Sequence, residues 1–130
     1  MIFVDTNYFV RYFLKDIPSQ FRVVKKLFSD GAKGKTALFT STIVVFEISW
    51  VFGSFYGKTK SEVIAILRKV LAMNFIEFAE RGHIEQSIEL YERTLLEFED
   101  CYNLVFSREK GVKEFATFDK KIMRYLKTMK

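Results

Sequence analysis

The sequence predicts an α/β protein: a three-layer α/β/α sandwich with a mainly parallel central sheet. Short apolar runs that end at a polar residue alternate with longer segments whose apolar residues recur every three or four positions. Strands that alternate with helices favour parallel pairing. With 130 residues, 49% of them hydrophobic, the chain can bury one core, so residues 1–130 are predicted to form a single domain.

The apolar runs are interpreted as strands. The first, over residues 2–4, is expected to be a buried strand that ends at Asp5. Three further strands are predicted over residues 37–40, 75–78 and 114–117. Sites in such folds collect at the carboxyl ends of the strands, which is where this interpretation places Asp5 and Asp119.

Helical spacing and capping residues predict the helices. Helices are predicted over residues 7–14, 19–31, 42–56, 59–71, 84–98 and 100–109, with a short basic helix after Asp119. Gly31 is expected to end the second helix, and Ser41 or Thr42 to cap the third. Thr59 and Glu62 have the spacing of a capping box.

Composition excludes several classes of protein. The excess of 21 Lys and Arg over 16 Asp and Glu is compatible with a polyanionic partner without requiring one. One Cys permits no internal disulfide, which favours the cytoplasm, and no segment predicts a membrane span or a secretory signal. One His and one Cys cannot form a zinc site or a two-histidine acid–base pair.

Four carboxylates stand out from the acidic residues on polar helix faces. They are Asp5 after the first strand, Glu47 within an apolar helix, Asp100 at a helix start and Asp119 after the last predicted strand. Each alone is explained by a helix cap or a satisfied core acid. Carboxylates that converge in one pocket repel one another unless a cation is present, and oxygen ligands select Mg²⁺ or Mn²⁺. Such a cation activates water, so no side-chain nucleophile is needed.

Four segments resemble the PIN domain family and, within it, the VapC-like toxin ribonucleases of prokaryotic toxin–antitoxin pairs. They are residues 4–12 followed by 16–18, residues 46–52, residues 98–101 and residues 116–120. The resemblance covers nearly the whole chain and keeps the family's order and similar spacing.

The resemblance implies a role for individual residues. Asp5, Glu47, Asp100 and Asp119 would bind Mg²⁺, or Mn²⁺ in its place, as the catalytic metal. Thr6 and Asn7 would orient Asp5, Thr117 would support Asp119, and Glu97 would lie near the metal. Arg11, one to two turns beyond Asp5, is the preferred contact to substrate. Lys120 and Lys121 stand where the family often has a further acid, which leaves open whether one or two metals bind.

The expected function is hydrolysis of RNA phosphodiester bonds by a metal-dependent endoribonuclease. The resemblance further implies a toxin that forms a homodimer and is inhibited by an antitoxin protein. Two alternatives stay open: a catalytically silent PIN-like module that binds RNA or protein, and a metal-dependent DNA nuclease or phosphatase.

Overall fold

The computed structural model describes residues 1–129, and the chain forms two compact units, Met1–Arg81 and Gly82–Lys130. Within the described residues there are three β-strands, seven α-helices and one π-helix. The predicted α/β class with a parallel sheet is therefore confirmed. The prediction of one domain over residues 1–130 is not tested by this division and stays a prediction.

The sheet belongs to the first unit. Its strands are β1 (Ile2–Phe3), β2 (Leu38–Thr40) and β3 (Ile76–Phe78), parallel and in the order β1-β2-β3. The expectation that β1 is buried is wrong, since Ile2 and Phe3 are 42% and 46% exposed. In this sheet β1 is an edge strand, and full burial begins only at Val4.

The helices are named in chain order. They are α1 (Thr6–Leu14), α2 (Pro18–Ala32), α3 (Thr42–Trp50), the π-helix Val51–Phe55, α4 (Lys60–Leu71), α5 (Arg81–Arg93), α6 (Phe98–Glu109) and α7 (Lys120–Thr128). Ser41 caps α3, and the capping box of Thr59 and Glu62 at the start of α4 is confirmed. No described helix is long and apolar enough to cross a membrane.

Gly31 lies inside α2 and does not end it, contrary to prediction. A Cβ at this position would stand 2.6 Å from Cδ1 of Leu38 and 3.3 Å from the ring of Phe75. The glycine is thus explained by close packing of α2 against β2, which the sequence pattern does not distinguish from a helix stop.

The predicted helix over residues 42–56 is two elements. The α-helical part ends at Trp50, and in the π-helix the Tyr56 N–H donates to the Val51 carbonyl at 3.0 Å. Apolar residues lie on all sides of α3, so their spacing carries little information about where the helical pitch changes.

The helix predicted over residues 84–98 ends earlier, at Arg93. Thr94 Oγ1 donates to the Leu90 carbonyl at 2.7 Å and accepts from the Leu96 N–H at 3.4 Å. These local bonds compete with continuation of the helix. Leu95 is 85% exposed as a result, and Phe98 instead begins α6.

The strand predicted over residues 114–117 is absent, and this segment has no regular secondary structure. Phe115 packs against the core of the second unit, so its apolar side chain anchors a loop and does not indicate a strand. The buried residues of that core are Leu90, Leu96, Cys101, Leu104, Val105 and Ile122.

Candidate functional site

The backbone before Asp5 is held by β2. The Val4 N–H donates to the Phe39 carbonyl at 2.9 Å, and the buried Thr40 hydroxyl donates to the Val4 carbonyl at 2.7 Å. The chain therefore leaves β1 in a defined direction at the carboxyl end of the parallel sheet.

Asp5 caps α1. Its Oδ1 accepts from the Thr6 N–H at 2.8 Å, and the residue is exposed. A carboxylate is favoured here because the positive end of the helix dipole faces it. In the described part of the chain Oδ2 takes part in no hydrogen bond, so this oxygen is available to a ligand.

Thr6 connects Asp5 to α3. Its hydroxyl donates to Oε1 of Glu47 at 2.9 Å, so the residue that follows Asp5 in sequence is bonded to the carboxylate of Glu47 on α3. Glu47 lies within an apolar helix, yet the residue is exposed, so it is not a core acid. It lies on the side of α3 that also carries Ile43 and Trp50, both largely exposed.

The other two predicted ligands belong to the second unit. Asp100 is half-buried in the first turn of α6, and Asp119 caps α7, with Oδ1 accepting from the Ile122 N–H at 2.9 Å. The core cluster that joins Cys101 and Leu104 of α6 to Ile122 of α7 holds these two helices together.

The electrostatic environment of Asp100 is unfavourable for its charged form. Burial raises the pKa of Asp100, and the negative charges of Asp119, Glu99 and Glu97 raise it further. Repulsion of this kind is what a bound cation relieves. The pKa shift also places Glu97 within electrostatic range of Asp100, although its predicted role at a metal stays a prediction.

Thr117 acts on Asp119 through the backbone. Its Oγ1 accepts from the Asp119 N–H at 3.0 Å, which supports the turn that leads into α7. Asn7 is exposed, and no described hydrogen bond involves its side chain. The predicted role of Asn7 in orienting Asp5 stays a prediction. The predicted role of Thr117 in supporting Asp119 as a metal ligand also stays a prediction.

Arg11 makes contacts within the protein. Both oxygens of Asp16 accept from its Nη1, at 2.7 and 2.8 Å, and its Nη2 donates to the Tyr56 hydroxyl at 3.4 Å. The guanidinium charge is thus matched by Asp16, and a substrate phosphate would compete with that carboxylate. Substrate binding by Arg11 stays a prediction.

The sequence analysis did not single out Glu80, which lies two residues beyond β3. Its Oε1 accepts from the Thr42 hydroxyl at 2.7 Å, so it joins the chain after β3 to the start of α3. The signal was available, since an acid just past a strand is the criterion that selected Asp5.

The donor set fits a hard divalent cation in its chemistry. The four predicted ligands are carboxylates, and Asp100 has an unfavourable excess of negative charge around it. Among residues 1–129, no group of three or more His, Cys, Asp or Glu side chains is already arranged to hold a metal ion.

Comparison with known proteins gives one family. No curated protein matches the chain. The family model described as the PIN domain matches residues 2–127. Because that match covers almost the whole sequence, the protein belongs to the PIN domain family, a family of domains that are typically metal-dependent nucleases.

Proposed function

We propose that the protein is a metal-dependent endoribonuclease that uses Mg²⁺ or Mn²⁺ held by Asp5, Glu47, Asp100 and Asp119. The observation that carries this proposal is the hydrogen bond from the Thr6 hydroxyl to Glu47, since it links α3 to the turn in which Asp5 caps α1. Two carboxylates distant in sequence are thereby connected through Thr6. Acids that served only as helix caps would not need such a connection.

The environment of Asp100 gives independent support. Carboxylates that only keep a helix face polar have no need to lie near one another. Asp100, in contrast, is partly buried and experiences the negative charges of three other acids. A bound divalent cation would supply Lewis acidity and an activated water. The chain's own contribution is to hold three carboxylates at the N-terminal ends of α1, α6 and α7 and the fourth, Glu47, on the exposed side of α3.

The finer parts of the proposal come from the resemblance to VapC-like proteins. We propose RNA as the substrate, an antitoxin protein as inhibitor, a homodimer as the assembly and the cytoplasm as the location. The net charge of +5 is compatible with an RNA partner.

A substrate comparison tests the proposal. Purified protein is incubated with structured RNA, single-stranded DNA and a small phosphomonoester, each with Mg²⁺, Mn²⁺ or EDTA. We expect cleavage of RNA only, dependent on the metal and lost in Asp5→Asn and Glu47→Gln. Asp30→Asn is the matched control, because Asp30 pairs with Lys26 on the surface of α2.

Each other outcome has a defined meaning. Cleavage in EDTA, or full activity in Asp5→Asn, would contradict the metal mechanism. Metal-dependent cleavage of DNA or of the phosphomonoester in preference to RNA would assign the other hydrolase class. Tight RNA binding without any cleavage would identify a silent binding module.

A further inference from the structure

Trp50 is the single tryptophan of the chain and ends α3 with 60% of its surface exposed. Within residues 1–129 no ring-stacking or cation–π contact of this side chain is found. A large aromatic side chain left in water is unfavourable, and exposed indoles are enriched where a protein contacts another molecule.

Trp50 shares a side of α3 with Glu47. Residues three and four apart are neighbours on a helix, so Glu47 stands between Ile43 and Trp50. Ile43 is 70% exposed and Glu47 is also exposed. The outer side of α3 therefore presents one carboxylate flanked by two apolar side chains, and that carboxylate is bonded to Thr6 beside Asp5.

The helix changes its pitch directly after Trp50. The π-helix Val51–Phe55 follows, and it leaves Phe55 71% exposed. Single π-turns within helices occur frequently at functional sites. The position of this one next to Glu47 and Trp50 agrees with a contact surface on this part of the chain.

We infer that Trp50 binds substrate by stacking its indole on the base of a nucleotide that flanks the cleaved phosphodiester. This rests on the proposed function. Three residues of α-helix rise about 4.5 Å, so a nucleic acid with a phosphate at Glu47 has a neighbouring nucleotide close to Trp50. Single-stranded RNA is commonly bound through stacking of its bases on aromatic side chains.

Protein and RNA make different demands on this surface. A permanent protein interface over Ile43 and Trp50 would also cover Glu47 and block the proposed site at all times. A substrate, in contrast, must reach Glu47 whenever the enzyme acts. The side of α3 that carries Glu47 is therefore assigned to single-stranded RNA.

The fluorescence of Trp50 tests the inference, because no other tryptophan contributes to the signal. The full chain carrying Asp5→Asn is titrated with a single-stranded RNA oligonucleotide and with an abasic oligonucleotide of equal length and charge. We expect the RNA to quench the fluorescence and the abasic chain to leave it almost unchanged. Equal quenching by both would overturn the stacking assignment.

Kinetics supply a second measurement. Trp50→Ala is expected to raise the KM for single-stranded RNA about tenfold with kcat little changed, and Trp50→Phe to retain most of the affinity. Val23→Ala, which alters a side chain 57% exposed on α2, is the control and should leave KM unchanged. A wild-type KM in Trp50→Ala would refute the inference.

The two proposals fail differently. Metal-dependent cleavage with no effect of Trp50→Ala would retain the nuclease and reject the stacking. Base-dependent quenching by RNA without cleavage would retain the stacking and reject the nuclease. If Trp50→Ala instead converted a dimer to a monomer and left RNA binding unchanged, this face would be an interface between copies and the inference would be wrong.

Discussion

Thr6 has more influence on the candidate site than its size suggests. It is buried, its N–H binds Asp5 and its hydroxyl binds Glu47. The sequence resemblance predicted a residue that orients Asp5. The structure adds a bond to the acid of a second helix, a contact between residues 41 positions apart that local sequence does not reveal.

Thr6→Val tests this connection. The change keeps the shape and removes the hydroxyl, so Glu47 loses its bonded partner. We expect kcat/KM for RNA to fall by roughly 10- to 100-fold, the usual effect of removing a group that orients a metal ligand. Thr6→Ser, which keeps the hydroxyl, should retain most activity. Unchanged activity in Thr6→Val would show that the bond has no role in catalysis.

Asp100→Asn tests the crowding of charge in the second unit. Burial and three nearby acids raise the pKa of Asp100, so removing its charge should stabilise the metal-free protein at pH 7. We expect a higher Tm for Asp100→Asn than for wild type in EDTA. Addition of Mg²⁺ should raise the Tm of wild type more than that of the variant, because a ligand stabilises the state that binds it.

The control for this measurement is Asp30→Asn, which removes a carboxylate paired with Lys26 and should give no stabilisation in EDTA. A lower Tm for Asp100→Asn in EDTA would mean that Asp100 supports the fold in its charged form. That result would weaken its assignment as a metal ligand.

At the scale of elements, a helix boundary set by a local cap is better encoded than one set by packing. The capping box of Thr59 and Glu62 and the Ser41 cap were predictable because a cap is a local hydrogen bond between neighbouring residues. By contrast, the end of α3 depended on a change of helical pitch, and the end of α5 on the side chain of Thr94.

Gly31 and Gly82 make a matched pair for testing the packing of α2. Gly31→Ala would press a methyl group against Leu38, and such overpacking costs typically about 1–3 kcal/mol. A Cβ at Gly82, in α5, would meet nothing within 4 Å, so Gly82→Ala should be neutral or stabilise the protein by up to about 1 kcal/mol. Chemical denaturation measures both, and equal effects would show that the contact with Leu38 is not limiting.

At the scale of the whole molecule, charge is unevenly distributed along the chain. The helix α7 contains four basic residues and no acidic residue, and it begins directly after Asp119. These basic residues are Lys120, Lys121, Arg124 and Lys127. Basic groups beside an acidic site offset its repulsion of phosphate and contribute to binding without reading sequence.

Salt dependence tests this distribution. For the Asp5→Asn protein, we expect RNA affinity to fall log-linearly with salt, by roughly tenfold between 50 and 200 mM. Arg124→Gln should reduce the slope by about 0.7, the value for one phosphate contact to a single strand. Lys25→Gln on α2 is the control and should preserve the slope. Equal slopes for Arg124→Gln and the parent protein would exclude Arg124 from the RNA interface.

The sequence by itself determined the α/β class, the parallel sheet, the caps and the candidate acids, because these follow from local hydrogen bonding and from the alternation of apolar runs. The tertiary structure decided that β1 is an edge strand and that residues 114–117 form an anchored loop. It also decided that Glu47 is exposed and bonded to Thr6, that Arg11 is paired with Asp16, and that Trp50 faces solvent. Each of these depends on which distant residue packs against a given side chain, and neighbours in sequence carry little information about such contacts.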